Sequence, residues 1–194
     1  MKYIFVALFV LAGIGLISYN YANKTVTTPN ASVTQAYTQD PTLLAYASNL
    51  GIDVSHINLV LSPTIPHATD LSGQAVGVYN TATTTIYVSD NEVPLEGGTE
   101  SSDDISTLAY EYMHYIWAYD LSASAKTQQT TTLEQYSNTN SAFNKLVNMY
   151  QGSQDTLGDE YTATACTELD PSVLSTGFNT WCDTYIPNRE TVLF

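Results

Sequence analysis

Apolar positions change their spacing several times along this chain, and each change marks an element. Residues 3–17 (Tyr-Ile-Phe-Val-Ala-Leu-Phe-Val-Leu-Ala-Gly-Ile-Gly-Leu-Ile) are apolar throughout and follow Lys2. A run without a polar face at an N-terminus predicts a signal peptide or an N-terminal membrane anchor over 1–18. It falls short of the roughly 20 residues of a full span, which favours a signal peptide. No good small-x-small cleavage site follows, which favours retention as an anchor. Residues 19–39 are rich in Thr and Asn without apolar periodicity and read as a stalk, leaving 40–194 as the folded domain.

Within that domain, Asp40-Pro41 is a helix cap followed by proline at the first helical position. Leu43, Leu44, Ala47 and Leu50 then share one face up to Gly51. The period next shortens to that of strands: Ile57–Leu61, Ala75–Tyr79 and Thr84–Ser89 are β-branched or aromatic runs. The last two are joined by the turn-prone Asn80-Thr81-Ala82-Thr83 and predict a hairpin. An irregular acidic loop, Asp90–Gly98, follows. Ser101–Asp104 then caps a helix over about 103–119, on which Ile105, Leu108, Ala109, Tyr112 and Ile116 share a face. Ala125–Thr132 reads as a polar linker. Phe143, Leu146, Val147 and Tyr150 mark a helix ending near Gly152, and another runs from Leu157 to the stop at Asp170-Pro171. A last helical piece passes through Trp181 before an irregular tail after Pro187. The order predicts an α+β fold, with a small mixed sheet and hairpin packed on a central helix and further helices behind.

Composition narrows the function. The 194 residues suit one globular domain with an appendage. Nineteen acidic against five basic residues give a net charge of −14, which repels a phosphate backbone and excludes nucleic acid as a partner. Three His and two Cys are too few for a four-cysteine zinc site. Export places Cys166 and Cys182 where a disulfide persists, and a bridge closing that loop contributes on the order of 3 kcal/mol; two buried free thiols are the other reading.

Candidate chemistry gathers in Tyr110-Glu111-Tyr112-Met113-His114. Residues four apart on a helix lie one turn apart on one face, so in His-Glu-x-x-His both imidazoles share a zinc while the Glu reaches its water as general base. Here Glu111 and His114 keep that spacing and the first His is replaced by Tyr110. The order helix, strand, Gly-x-Tyr hairpin, Ile-Tyr-Val-Ser strand, acidic loop and then this helix resembles the zincin metallopeptidases, most closely compact gluzincin-like members of the ImmA/IrrE type. Asp159-Glu160-Tyr161-Thr162-Ala163 matches the family's second element, a Glu followed three residues later by Ala. The likeness covers about residues 40–170. It implies His114 and Glu160 as metal ligands, Glu111 as general base and a strand before the helix that holds peptide, with Glu168 a less favoured substitute for Glu160. His56 and His67 lie in loops and are expected to be solvated. Tyr161 and Tyr185 are candidates by type for stabilising an oxyanion.

Tyr110 is the departure that matters. A phenol binds a metal only after shedding a proton with a pKa near 10, and its oxygen reaches farther than an imidazole nitrogen. Three outcomes follow: weak zinc through His114, Glu160 and water; a harder metal such as iron held by the phenolate; or a metal-free site with Tyr110 hydrogen-bonded to Glu160 or His114. The first and last are expected, so zinc is weak or absent. The leading expectation is an extracytoplasmic, membrane-anchored peptidase-like protein acting on peptide or protein, with impaired or lost hydrolysis. The alternative is a non-catalytic module in which edge strand 84–89 pairs with an extended peptide. A third reading is a structural surface protein.

Overall fold

A computed structural model of the protein describes residues 36–63, 76–90, 100–141, 143–144 and 157–194. The apolar N-terminal segment, most of the expected stalk, His67, the acidic loop after Asp90 and the helix expected to end near Gly152 lie largely or wholly outside these residues. Among the described residues no helix is long and apolar enough to cross a membrane. The compact unit considered below is Tyr37–Phe194.

Helix α1, Pro41–Leu50, forms where its caps predict: the Asp40 carboxylate accepts from the N–H groups of Thr42 and Leu43, and Gly51 ends it in the left-handed conformation that glycine adopts without strain. Leu43, Ala47 and Leu50 are its buried stripe. Three strands follow: β1, Asn58–Ser62; β2, Gly77–Asn80; and β3, Thr85–Ser89. Their order is β1-β3-β2, with β3 parallel to β1 and antiparallel to β2. The predicted hairpin is therefore present, and its second strand is the middle of the sheet. Thr38 and Gln39, expected in the stalk, instead belong to the domain: the Leu59 N–H donates to Thr38 O, and Gln39 bridges to Leu59 on the outer side of β1.

Helix α2, Glu100–Tyr115, packs against α1 and the sheet and continues into a π turn, Ile116–Asp120. Leu108, Ala109, Met113 and Ile116 are buried on it beside Leu59, Ile86 and Val88 of the strands. Helix α3, Ala123–Thr139, occupies the stretch expected to be a polar linker. Ser122 caps it, and Thr127, Thr130, Thr131 and Thr132 return their hydroxyls to carbonyls four residues back. Those bonds satisfy the threonines locally, so the helix forms with only Leu133 and Ser137 buried. Helix α4, Leu157–Thr167, runs between α2 and α3 with every side chain from Tyr161 to Thr167 buried.

Beyond α4 come a short 3-10 turn, Pro171–Val173, then α5, Thr176–Tyr185, and α6, Arg189–Val192, where an irregular tail was expected. Cys166 and Cys182 form the disulfide that ties α5 to α4. Arg189 is fully buried: its Nε donates to Asp183 and its other nitrogens to Asn179 and the Cys166 carbonyl. A buried guanidinium requires such partners, and here they hold the C-terminus onto α4 and α5. The architecture is α+β, with helices and a small mixed sheet around one core.

Candidate active site

Tyr110 and His114 project from adjacent turns of α2 toward the first turn of α4, which carries Asp159 and Glu160. Carboxylates are favoured at a helix N-terminus because they face unpaired N–H groups. Gly158, in the first turn of α4, lets that helix seat closely against α3 and the π turn after α2: a Cβ there would fall 2.0 Å from Thr130 Oγ1 and 2.8 Å from the Trp117 ring. Across the contact the Tyr110 hydroxyl donates to Glu160 Oε2 at 2.5 Å. His114 Nδ1 lies 2.8 Å from Asp159 Oδ1 as an ion pair. The two rings themselves meet edge to face, with centroids 5.1 Å apart.

Glu111 points elsewhere, under the hairpin. The Val76 carbonyl accepts from Ser89, so by strand alternation Gly77 and Tyr79 turn their backbone groups away from β3 to the free side of β2. The Glu111 carboxylate accepts from the Tyr79 backbone N–H on that side. Gly77 permits the approach, since a Cβ at that position would lie 2.5 Å from Thr107 and 2.9 Å from Glu111 Cγ. Glu111 thus pins the hairpin to α2 and is only 7% exposed.

These surroundings move two proton affinities in the same direction. Burial raises the Glu111 carboxyl to about 7, against the opposing charge of His114 and the Tyr79 N–H. Burial alone depresses His114, but its bond to Asp159 and the charges of Asp159, Glu111 and Glu160 outweigh this and raise it to about 9. At neutral pH His114 is an imidazolium, both of whose nitrogens are donors.

The structure brings Tyr110, His114 and Glu160 to one contact between α2 and α4, whereas Glu111, the fourth residue that the sequence motif singles out, turns to the hairpin. Sequence reasoning missed Asp159, the partner of His114, although it adjoins Glu160 in the same quoted motif. It also missed the Tyr79 N–H and the glycines at 77 and 158, whose roles depend on which helix or strand lies opposite. Glu168 is exposed beyond the end of α4, and His56 is exposed beside Tyr37. Tyr161 packs against Phe143, and Tyr185 against Trp181. Strand 84–89 is corrected from an edge to the centre: β3 is paired along its length on both sides and has no free edge for a peptide. The pairing is long-range, and hydrophobic pattern alone does not specify strand order.

Zinc fits this arrangement poorly. A catalytic site needs three protein donors with free lone pairs. Here the phenol donates to Glu160 and is no ligand while it keeps its proton, which leaves as donors at this contact only Glu160 and the Nε2 of His114, whose Nδ1 partner Asp159 is of the kind a ligating histidine has. Among the described residues no three His, Cys, Asp or Glu side chains are placed to hold a metal ion. No protein-family model matches this chain, and no curated protein or solved structure matches it.

Proposed function

We propose that this chain is an exported zincin-like domain of metallopeptidase descent, held at the membrane by its N-terminal segment, in which peptide-bond hydrolysis has been lost. The observation that carries the reading is the hydrogen bond from Tyr110 to Glu160. It joins the residue at the missing ligand position to the residue expected to supply the third ligand, across the same pair of helices. The order of elements before the helix supports the descent. The disulfide suits an oxidising compartment. Glu111, the expected general base, is buried against the hairpin beside Gly77 and the Tyr79 N–H. The strand-addition alternative has less support, because its strand is interior to the sheet.

The test compares zinc content and fluorogenic-peptide hydrolysis in the full chain, in Tyr110→His and in Tyr110→His combined with Glu111→Gln. The unaltered protein is expected to carry far less than one zinc per chain and to show no turnover. Tyr110→His is expected to take up zinc stoichiometrically. Stoichiometric zinc in the unaltered protein, with hydrolysis abolished by Glu111→Gln, would overturn the loss of activity. A folded Tyr110→His that gains no zinc would overturn the descent.

A further inference from the structure

The C-terminal segment that carries α5 and α6 is joined to the rest of the domain at a few defined points. Its aromatic rings pack on one another, Trp181 meeting Phe178 at 5.5 Å and Tyr185 at 5.2 Å. Phe178, Cys182, Ile186 and Arg189 are its buried side chains. The Arg189 guanidinium donates to the Cys166 carbonyl of α4 at 3.3 Å, and to Asp183 and Asn179 of α5 at 2.7 and 2.5 Å. Asn188 caps the end of α1. Its backbone N–H donates to the Leu50 carbonyl at 3.1 Å, and its side-chain amide to the Asn49 carbonyl, 139 residues away, at 2.9 Å.

The disulfide and the buried guanidinium share their partners. Cys166 gives its sulfur to α5 and its carbonyl oxygen to Arg189, while Cys182 adjoins Asp183 and lies one turn beyond Asn179. Joining the two sulfurs therefore assembles the groups that Arg189 needs. Without the bridge, docking must take a guanidinium out of water for hydrogen bonds to neutral groups and for one carboxylate, Asp183, whose side chain is 38% exposed. Such bonds return little against that desolvation. A bridge between residues 16 apart favours the docked arrangement, by about a hundredfold, because it removes open conformations from the competing state. Both sulfurs are fully buried. A thiolate in solution reaches them only after α5 moves off α4.

We propose that α5 and α6 form an oxidation-set latch: they dock on α4 and α1 once Cys166 and Cys182 are joined, and in the dithiol chain they stand undocked from a domain that is otherwise folded. Setting the latch moves two electrons and two protons from the thiols to an exchangeable disulfide, such as oxidised glutathione, which leaves as two thiols. Burial then shields the bridge from a dithiol reductant for as long as α5 is docked. The latch does not involve the Tyr110–Glu160 contact, so either reading can fail without the other.

Amide hydrogen exchange of the full chain, resolved by peptide mass spectrometry, tests this on the oxidised parent and on the double variant Cys166→Ala, Cys182→Ala. Protection over 177–192 is expected to fall about a hundredfold in the variant, while protection over 105–115 in α2 changes by less than about threefold. Equal protection over 177–192 in both proteins would overturn the proposal, since docking would not need the bridge. An equal loss over 105–115 would also overturn it, since the bridge would then hold the whole domain together. A second measurement needs only the parent: the rate at which dithiothreitol frees the two thiols, followed in low concentrations of urea. Reduction through movement of the C-terminal segment alone is expected to rise with urea less steeply than global unfolding does. An equal slope refutes the latch.

Discussion

Glu111→Gln is expected to stabilise the domain at alkaline pH and to leave it nearly unchanged in acid. The Glu111 carboxyl is raised from an ordinary value of 4.5 to about 7, mainly by burial. A carboxyl whose folded value lies above its unfolded one binds more protons when folded. Stability is therefore full below pH 4.5, falls as pH rises toward 7, and stays low beyond it. A shift of that size corresponds to about 3 kcal/mol. Glutamine is nearly isosteric and keeps an oxygen for the Tyr79 N–H, so the variant removes the charge and retains the acceptor. Part of the gain is offset, because the Glu111 charge also favours the His114 imidazolium. A net gain of about 2 kcal/mol at pH 8 remains, or roughly 4 to 8 °C in Tm for a domain of this size. Urea or thermal unfolding of metal-free protein at pH 4.5 and pH 8 measures it. Equal destabilisation at both pH values would refute the reasoning, since it would mean that the carboxylate is a required partner and not a desolvated charge.

Three further outcomes follow from the same contacts. His114→Gln should remove a stability contribution that is present at pH 6 and lost between about pH 6.5 and 9, because the folded imidazole is raised to about 9; an unfolding series across that range should be flatter in the variant. Gly158→Ala drives a Cβ into Thr130 and the Trp117 ring, so it should cost about 1–3 kcal/mol by forcing α4 away from α3, read by urea unfolding; an unchanged midpoint would contradict the close packing. Replacing Cys166 and Cys182 together by Ser should cost about 3 kcal/mol, read as the difference in unfolding free energy from the oxidised parent, and adding reductant to the parent should reproduce that loss.

Much of the local structure was legible because it is written at short range. Asp40, Pro41 and Gly51 bound α1 by side-chain capping and backbone preference, and Asn80–Thr83 sets the hairpin. The spacing of Tyr110, Glu111 and His114 fixes which of them share a helix face. Period alone fails where polar residues satisfy one another. In α3 the threonine hydroxyls bond to their own helix, so no apolar stripe announces it. The extension of α2 into a π turn, and with it the placement of Asp120, also leaves no periodic signal.

By itself the sequence determined the α+β class, the helix carrying Tyr110 and His114, and the acidic net charge. Only the tertiary structure decided how those residues meet. The parallel pairing of β1 with β3 moves strand 85–89 to the middle of the sheet. The close seat of α4 at Gly158 gives Glu160 to Tyr110 and Asp159 to His114, and the open side of β2 takes Glu111. Each outcome depends on how one element is rotated and seated against another distant in sequence. Periodicity specifies which face of an element is buried, but not what lies opposite it.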